Sequence, residues 1–228
     1  MAALKPSLAP RDIEATLAWL RQHPALKQSL ARPLGRVETS FAALDVALGG
    51  GLPTGAISEL VGPESRALPS SGRTSLALTT LSAATRCGHV VAWVDADDTL
   101  DPLSLRAAGA ELARFLWVRP HGREARKQAL QAADLVVAAG GFAAVVLDLV
   151  GARASSVPPA SWVRLSHRLA GTGTALVVLT AHTLVGAQAH LRLTCRLARG
   201  ATLEVRVDKQ RGREPGARVA LALGPPVD

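Results

Sequence analysis

The residues most suited to chemistry begin at Gly62, in the stretch GPESRALPSSGRTSL. A phosphate-binding loop surrounds an anion with backbone N–H groups and a helix N-terminus, adds a lysine, and uses a Ser/Thr hydroxyl for Mg²⁺. Here nine residues separate Gly62 from Gly72, and Arg73 stands where lysine is expected. Thr74 and Ser75 follow and supply the hydroxyls. The sequence therefore predicts a degenerate nucleotide site, five residues longer than the usual loop.

A carboxylate for the metal side of such a site follows in GFAAVVLDLV, where Asp148 ends an apolar strand. Asp148 and Thr74 together form the pair expected to hold Mg²⁺, and only if a nucleotide is bound. None of the four lysines falls between the strand and the helix that flank the loop. Arginine keeps the positive charge, but its planar fork does not occupy the space of an ammonium. We therefore expect no cofactor beyond weakly bound ATP and Mg²⁺.

Alternating strands and helices must position these residues. The runs AISELVG, HVVAWVDAD, FLWVRP, GFAAVVLDLV and TALVVLTAH are short and apolar, and helical patterns separate most of them. This alternation predicts an α/β fold, with a mostly parallel twisted sheet covered by helices on both faces. The C-terminal part changes to alternating strands joined by Gly-containing turns, which predicts antiparallel strands added to one edge of the sheet.

Length and composition favour one core domain, since 228 residues at 48% hydrophobic can bury one substantial core. We divide the chain into an N-terminal helix and connector (1–35), a core domain (36–222) and a short tail (223–228). The absence of a long apolar run and of a signal peptide predicts a soluble, cytoplasmic protein with no membrane contact. Cys87 and Cys195 lie far apart in sequence and predict neither a disulfide nor a metal site.

The formal net charge is +8, and residues 186–218 contribute +5 of it through eight arginines and lysines against three acids. Clustered cations on a sheet edge are typical of contact with a phosphate backbone, and a solvated surface gives the same pattern. Aromatic residues make up only 3% of the chain, so stacking on bases is not expected. Weak, non-specific DNA contact is the most that this pattern predicts.

Three stretches, ALDVALGGGLPTGAISELVGPES, SGRTSLAL and VVAWVDADDTLDP, resemble the core of bacterial RecA recombinase. The similarity runs from about Leu44 to Val150 and continues more weakly toward the C-terminus. It implies a three-layer RecA-type ATPase core, with ATP at a subunit interface and DNA on the loops after the third and fourth strands. Asp97 stands in place of the family's catalytic glutamate, and Asp101 matches its adenine-side acid.

The resemblance also covers the end of the fourth strand and the C-terminal strands. His182 stands where the family has a glutamine that senses the terminal phosphate, and we interpret it as a core or capping histidine. Asp97 and His182 would then be vestiges of a catalytic site. Lys209 and Arg211 resemble the paired lysines through which RecA neighbours act on ATP across an interface.

The degenerate loop, the chain length and two short loops are similar to the ImuA family, RecA-related accessory proteins of bacterial mutagenic translesion synthesis. One of these loops spans residues 151–160, and the other has only eight residues, 183–190. This resemblance implies an SOS-induced adaptor without catalytic activity, with an ImuB-type protein, an error-prone DnaE-type polymerase and RecA as partners. The interface candidates on the N-terminal helix are Leu17, Trp19 and Leu20, although these side chains also suit packing on their own core.

Other functions remain open at this stage. A divergent RecA-like DNA-dependent ATPase or recombinase would use Arg73 in place of lysine. A DNA-binding module would use the basic C-terminal strands without nucleotide control. The ImuA family is also described as similar to the SulA cell-division inhibitors, which adds a third alternative. A fold alone does not choose among these functions.

Overall fold

The computed structural model describes Gln22 and residues 35–62, 71–153, 157–198 and 202–223. The N-terminal interface candidates Leu17, Trp19 and Leu20 lie outside the described residues, as does most of the insertion in the loop, residues 63–70. No helix in the described ranges is long and apolar enough to cross a membrane.

The described chain alternates strands and helices. The strands are β1 (Arg36–Val37), β2 (Leu52–Pro53), β3 (Ala56–Val61), β4 (Val90–Asp95), β5 (Phe115–Val118), β6 (Phe142–Asp148), β7 (Ala175–Thr180), β8 (Ala189–Leu197), β9 (Thr202–Gln210) and β10 (Arg218–Ala222). The helices are α1 (Ala42–Leu48), α2 (Arg73–Arg86), α3 (Pro102–Ala107), α4 (Ala125–Ala139) and α5 (Pro159–Leu169).

Within the described residues, an eight-stranded sheet carries the fold, in the order β10-β9-β8-β3-β7-β6-β4-β5. All neighbours from β8 to β5 are parallel, and β9 and β10 add antiparallel strands at one edge. This confirms the predicted α/β class, the mostly parallel sheet and the antiparallel C-terminal strands. β1 and β2 form a separate two-stranded sheet.

Two apolar cores cover the two faces of the sheet. One core packs α4 and α5 on the central strands, and the other packs α1 and α2 on the opposite face and on the inward side of β8 to β10. Trp93 of β4 is completely buried in the second core. Because β6 and β7 are apolar on both sides up to their last residue, the polar residues at their ends stand out as site candidates.

Candidate functional site

The carboxyl ends of four neighbouring strands, β3, β7, β6 and β4, form the rim where a ligand site is expected in an open α/β sheet. Gly62 follows β3, and α2 starts at Arg73 after Gly72. Asp148 ends β6 and lies in register with Asp95, which ends β4. The structure therefore brings the two ends of the predicted loop and the predicted metal carboxylate to one rim.

Arg73 turns back into the protein from the first position of α2. Its side chain is buried, with only 5% of the residue exposed. Nη1 donates hydrogen bonds to the carbonyl oxygen of Gly62 and, at 2.8 Å, to Oγ of Ser71. The guanidinium thus connects the two ends of the long loop. In an ordinary phosphate-binding loop the lysine at this position instead extends toward the outer phosphates.

The two loop glycines are tightly enclosed. A Cβ atom on Gly62 would collide with the Ser71 side chain and with Nη1 of Arg73. Gly72 caps α2 in the left-handed region, with φ at 74°, and a Cβ there would lie 2.7 Å from Cδ1 of Leu203 on β9. Side chains of the protein itself therefore fill the space beside both glycines.

Asp148 is almost fully buried, and Oδ1 accepts a hydrogen bond from the N–H of Val150 at 3.2 Å. Burial raises the pKa of its carboxyl to about 7, and the negative charge of nearby Asp95 adds to this rise, while Arg73 opposes it. Asp95 is itself buried and accepts N–H groups of Thr99 and Leu100, both at 3.0 Å. Near neutral pH Asp148 is therefore only partly ionised.

The hydroxyl residues of the loop lie in the first turn of α2, where Thr74 is half-buried and Ser75 is exposed. Thr74 thus keeps the sequence position and helical location of a metal-side hydroxyl. Within the described ranges, no group of three or more His, Cys, Asp or Glu side chains could hold a metal ion.

Asp97, at the family's catalytic position, is engaged by other parts of the chain. Its Oδ1 accepts a hydrogen bond from Nη2 of Arg126 at 2.9 Å, and its Oδ2 accepts one from the N–H of Gly151 at 3.0 Å. The carboxylate ties α4 and the loop after β6 to the end of β4. Both oxygens of Asp97 already accept hydrogen bonds from the protein, so a water molecule would have to compete with these donors.

Asp101 caps a helix. It is the N-cap of α3 and accepts the N–H groups of Leu103 at 3.2 Å and Ser104 at 2.8 Å, together with the Ser104 hydroxyl at 2.8 Å. The hydrogen bond from the Ser104 side chain, and then the backbone bonds, lower the pKa of this exposed carboxyl. Asp101 therefore has a local role in capping α3, which differs from the adenine-side role that the resemblance implies.

A short strap, residues 183–188, connects the end of β7 to the start of β8 and crosses the face of β3. Beneath it the fully buried Glu59 accepts hydrogen bonds from the N–H groups of Leu184 at 2.6 Å and Val185 at 3.0 Å. Its second oxygen accepts a hydrogen bond from Nε of the partly exposed Arg192 at 2.8 Å, in an ion pair. In the position of the family's second DNA loop, the chain therefore carries a segment bound to its own sheet.

Lys209 and Arg211 also hold the strap. Nζ of Lys209 donates to the carbonyl of Ala187 at 3.0 Å, and Nη2 of Arg211 donates to the same oxygen at 3.3 Å. Burial lowers the pKa of Lys209, and the neighbouring Arg192 and Arg211 lower it further. His182 is exposed in the bend after β7, so the core half of its interpretation as a core or capping histidine is wrong, and the capping half stays a prediction.

Reasoning from the sequence missed two ion pairs, Glu59 with Arg192 and Asp97 with Arg126, and one buried carboxyl, Asp95. The first had a signal, because a glutamate inside the apolar strand AISELV needs a buried partner. The pair of Asp97 and Arg126 depends on residues 29 positions apart that approach only in the folded chain. Asp95 bonds to the backbone four and five residues later, and its position at the end of an apolar strand was the available signal.

The fold and this rim define a class, and sequence comparison agrees with it. The RecA N-terminal domain family matches residues 25–205, so the chain belongs to the RecA family. Among curated proteins, Protein RecA of Rubrobacter xylanophilus is 41% identical over 123 residues, covering 54% of this chain and 33% of that protein. Protein RecA of Parvibaculum lavamentivorans is 44% identical over 117 residues, covering 51% of this chain and 30% of that protein. The chain thus matches about a third of the length of these relatives.

Proposed function

We propose that this chain is a noncatalytic RecA-like adaptor in bacterial mutagenic translesion DNA synthesis, the role of the ImuA family. Its proposed partner is an ImuB-type polymerase-like protein, in a cytoplasmic complex with an error-prone DnaE-type polymerase, and RecA is a second proposed partner. The fold supplies the interaction surfaces, and the nucleotide site is no longer used for turnover.

The observation that carries this proposal is the buried Arg73. Its guanidinium is bonded to the Gly62 carbonyl and to Ser71, at the place where a RecA-like site needs a cation directed toward phosphate. The described residues do not fit bound ATP well, because the cation expected at the phosphates is held by Gly62 and Ser71. A cation turned inward does not offset the negative charge of the phosphates, which opposes tight binding of a nucleotide.

The remaining family positions support the same interpretation. Asp97 is bound by Arg126 and Gly151, and Lys209 and Arg211 donate to the strap of their own chain. The residues at positions of catalysis and of trans-acting contact in the family are thus engaged in intramolecular bonds here.

The first experiment measures thermal unfolding with and without ATP and Mg²⁺. A ligand at one hundred times its Kd stabilises a protein by about 2.7 kcal/mol, which raises the Tm of a chain of this size by about 5 to 10 °C. We expect no such shift at 1 mM nucleotide, a concentration of about one hundred times a Kd of 10 μM. A RecA protein in the same assay is the positive control.

The second experiment measures binding of purified ImuB-type protein by wild type and by Thr74→Ala and Asp148→Ala variants that remain folded. The adaptor proposal expects the same affinity for all three, with and without ATP. The proposal would be contradicted if the wild type bound the partner only in the presence of ATP and if both variants failed to bind it.

A divergent DNA-dependent ATPase is the second candidate, favoured by Thr74 in the first turn of α2 and Asp148 at the same rim. It predicts ATP hydrolysis that single-stranded DNA stimulates. Turnover in the wild type that Asp148→Ala abolishes would establish this candidate and remove the adaptor proposal.

A further inference from the structure

β10 forms one edge of the main sheet, and among the described residues it pairs only with β9. Val207 of β9 donates its N–H to the carbonyl of Ala217 and accepts the N–H of Gly216. Alternate residues of an antiparallel strand direct their backbone groups to the same side, so Val219 and Leu221 bond to β9. The backbone N–H and C=O groups of β10 that point outward belong to Arg218, Ala220 and Ala222.

The solvent-facing side of β8 to β10 forms a shallow depression that ends at this edge. Its residues lie in two cross-strand rows, Thr194, Arg206 and Arg218 in one and Arg196, Glu204 and Ala220 in the other. No helix of the two cores covers this side of the three strands within the described residues. The depression therefore combines a free strand edge with a charged floor.

Two arginines stand directly opposite each other in the first row. Arg206 is bonded to Asp208, whereas Arg218 makes no hydrogen bond or ion pair with any described residue. Arg196 likewise lacks such a partner among the residues that the structure describes. Like charges on facing positions of a strand pair are destabilising, so a carboxylate placed beside Arg218 would relieve repulsion within the protein.

Small side chains complete the edge. Ala220 and Ala222 are exposed and leave room for the side chains of a strand laid alongside them. The sequences of the three strands contain no aromatic residue on which a base could stack. These features favour an extended protein segment over a nucleic acid.

We propose that the outer edge of β10 binds an extended acidic segment of a partner protein by strand addition, with a carboxylate of that segment on Arg218. The inference rests on the adaptor function proposed above, and it assigns that function a contact surface. Backbone hydrogen bonds to Arg218, Ala220 and Ala222 provide the affinity, and the unpaired guanidiniums select for acidic side chains. The surface lies on the face of the sheet opposite to α2 and Arg73, because α2 packs on the inward side of β8 to β10.

The test uses two synthetic peptides, one alternating Val and Glu and one alternating Val and Lys, titrated into the full chain by fluorescence anisotropy. We expect the acidic peptide to bind at least about tenfold more tightly, equivalent to about 1.4 kcal/mol. Amide hydrogen exchange of Arg218, Ala220 and Ala222 should slow on binding. Equal affinity for both peptides, or protection elsewhere on the chain, would overturn the inference.

Three variants sharpen the test. Ala220→Pro removes an outward N–H that β9 does not use, and an edge strand tolerates proline at such a position, so the variant should fold and lose binding about tenfold. Arg218→Glu should reverse the preference between the two peptides and serves if the proline variant fails to fold. Arg106→Glu makes the same charge change on the exposed face of α3 and should leave binding unchanged.

Further measurements distinguish the other molecules that could bind this edge. Binding of an oligo(dT) probe that Ala220→Pro leaves intact, while the acidic peptide fails to bind, would replace the inference with phosphate contact. A dimer in sedimentation that Ala220→Pro dissociates would assign the edge to a second copy. If ImuB-type protein binds the wild type and Ala220→Pro equally, the edge inference fails and the adaptor function stands; if it does not bind the wild type, the adaptor function fails.

Discussion

Asp148→Asn is expected to change how stability depends on pH. In the folded protein the pKa of the Asp148 carboxyl is raised from 3.8 to about 7, chiefly by burial. Between these two values the unfolded chain has released a proton that the native chain still holds, so wild-type stability falls as pH rises. Asparagine has nearly the same shape and no ionisation, so this part of the pH dependence disappears.

The size of the effect follows from the same interval. About three pH units at about 1.4 kcal/mol each give about 4 kcal/mol, as an order of magnitude. The free energy of unfolding of Asp148→Asn minus that of wild type should therefore rise by about 1.4 kcal/mol per pH unit from pH 4 to pH 7. It should level off above about pH 7, where wild-type Asp148 is ionised in both states.

Urea denaturation at half-unit steps from pH 5 to pH 8 measures this difference. Asp101→Asn is the matched control, because hydrogen bonds from Ser104 lower the pKa of Asp101. The Asp101 carboxylate is ionised throughout that range and loses its stabilising charge only at lower pH. The difference in free energy of unfolding between Asp101→Asn and wild type should therefore be constant. A constant difference for Asp148→Asn as well would refute our account of the buried carboxyl.

Two further predictions concern the strap and the loop glycine. Glu59→Gln should lower the free energy of unfolding by about 3 kcal/mol, because it leaves Arg192 without its buried carboxylate. It should also speed amide exchange of Leu184, whose N–H donates to Glu59. Unchanged stability and exchange would show that the strap is held by other contacts. Gly72→Ala should lower the free energy of unfolding, measured by urea denaturation, by about 1 to 3 kcal/mol, because the φ of Gly72 is 74°. Ser75→Ala, at an exposed position on the same helix, is the control and should change stability little. Equal stability of the two variants would contradict the tight enclosure of Gly72.

The fold could be predicted because each main strand is a short apolar run with turn residues on either side. The region PLSLRAAGAELARF shows where such reasoning fails, because its pattern alone predicts one continuous helix. The structure ends α3 at Ala107 and forms a separate turn of 3-10 helix at Leu112–Arg114. Gly109, with φ at 72°, separates them, and the glycine in the pattern was the available signal.

The candidate site was predictable in its residue types and in its position at the strand ends, but not in its contacts. Spacing placed Arg73 beside the loop, whereas the direction of its side chain depends on Gly62 and Ser71 in the folded protein. Asp97 meets Arg126 and Gly151, which are 29 and 54 residues away in sequence. Such pairs depend on how the strands and helices pack, and the local sequence pattern does not predict them.

The strap over Glu59 also constrains the order in which the chain becomes structured. Glu59 belongs to the first strand of the main sheet to leave the ribosome, yet its partners Leu184 and Arg192 lie 125 and 133 residues later. The two sheet neighbours of β3 come from the same late part of the chain. During synthesis, the buried glutamate and its strand therefore stay without native partners until most of the chain has emerged, and closure of the central sheet is a late, long-range event.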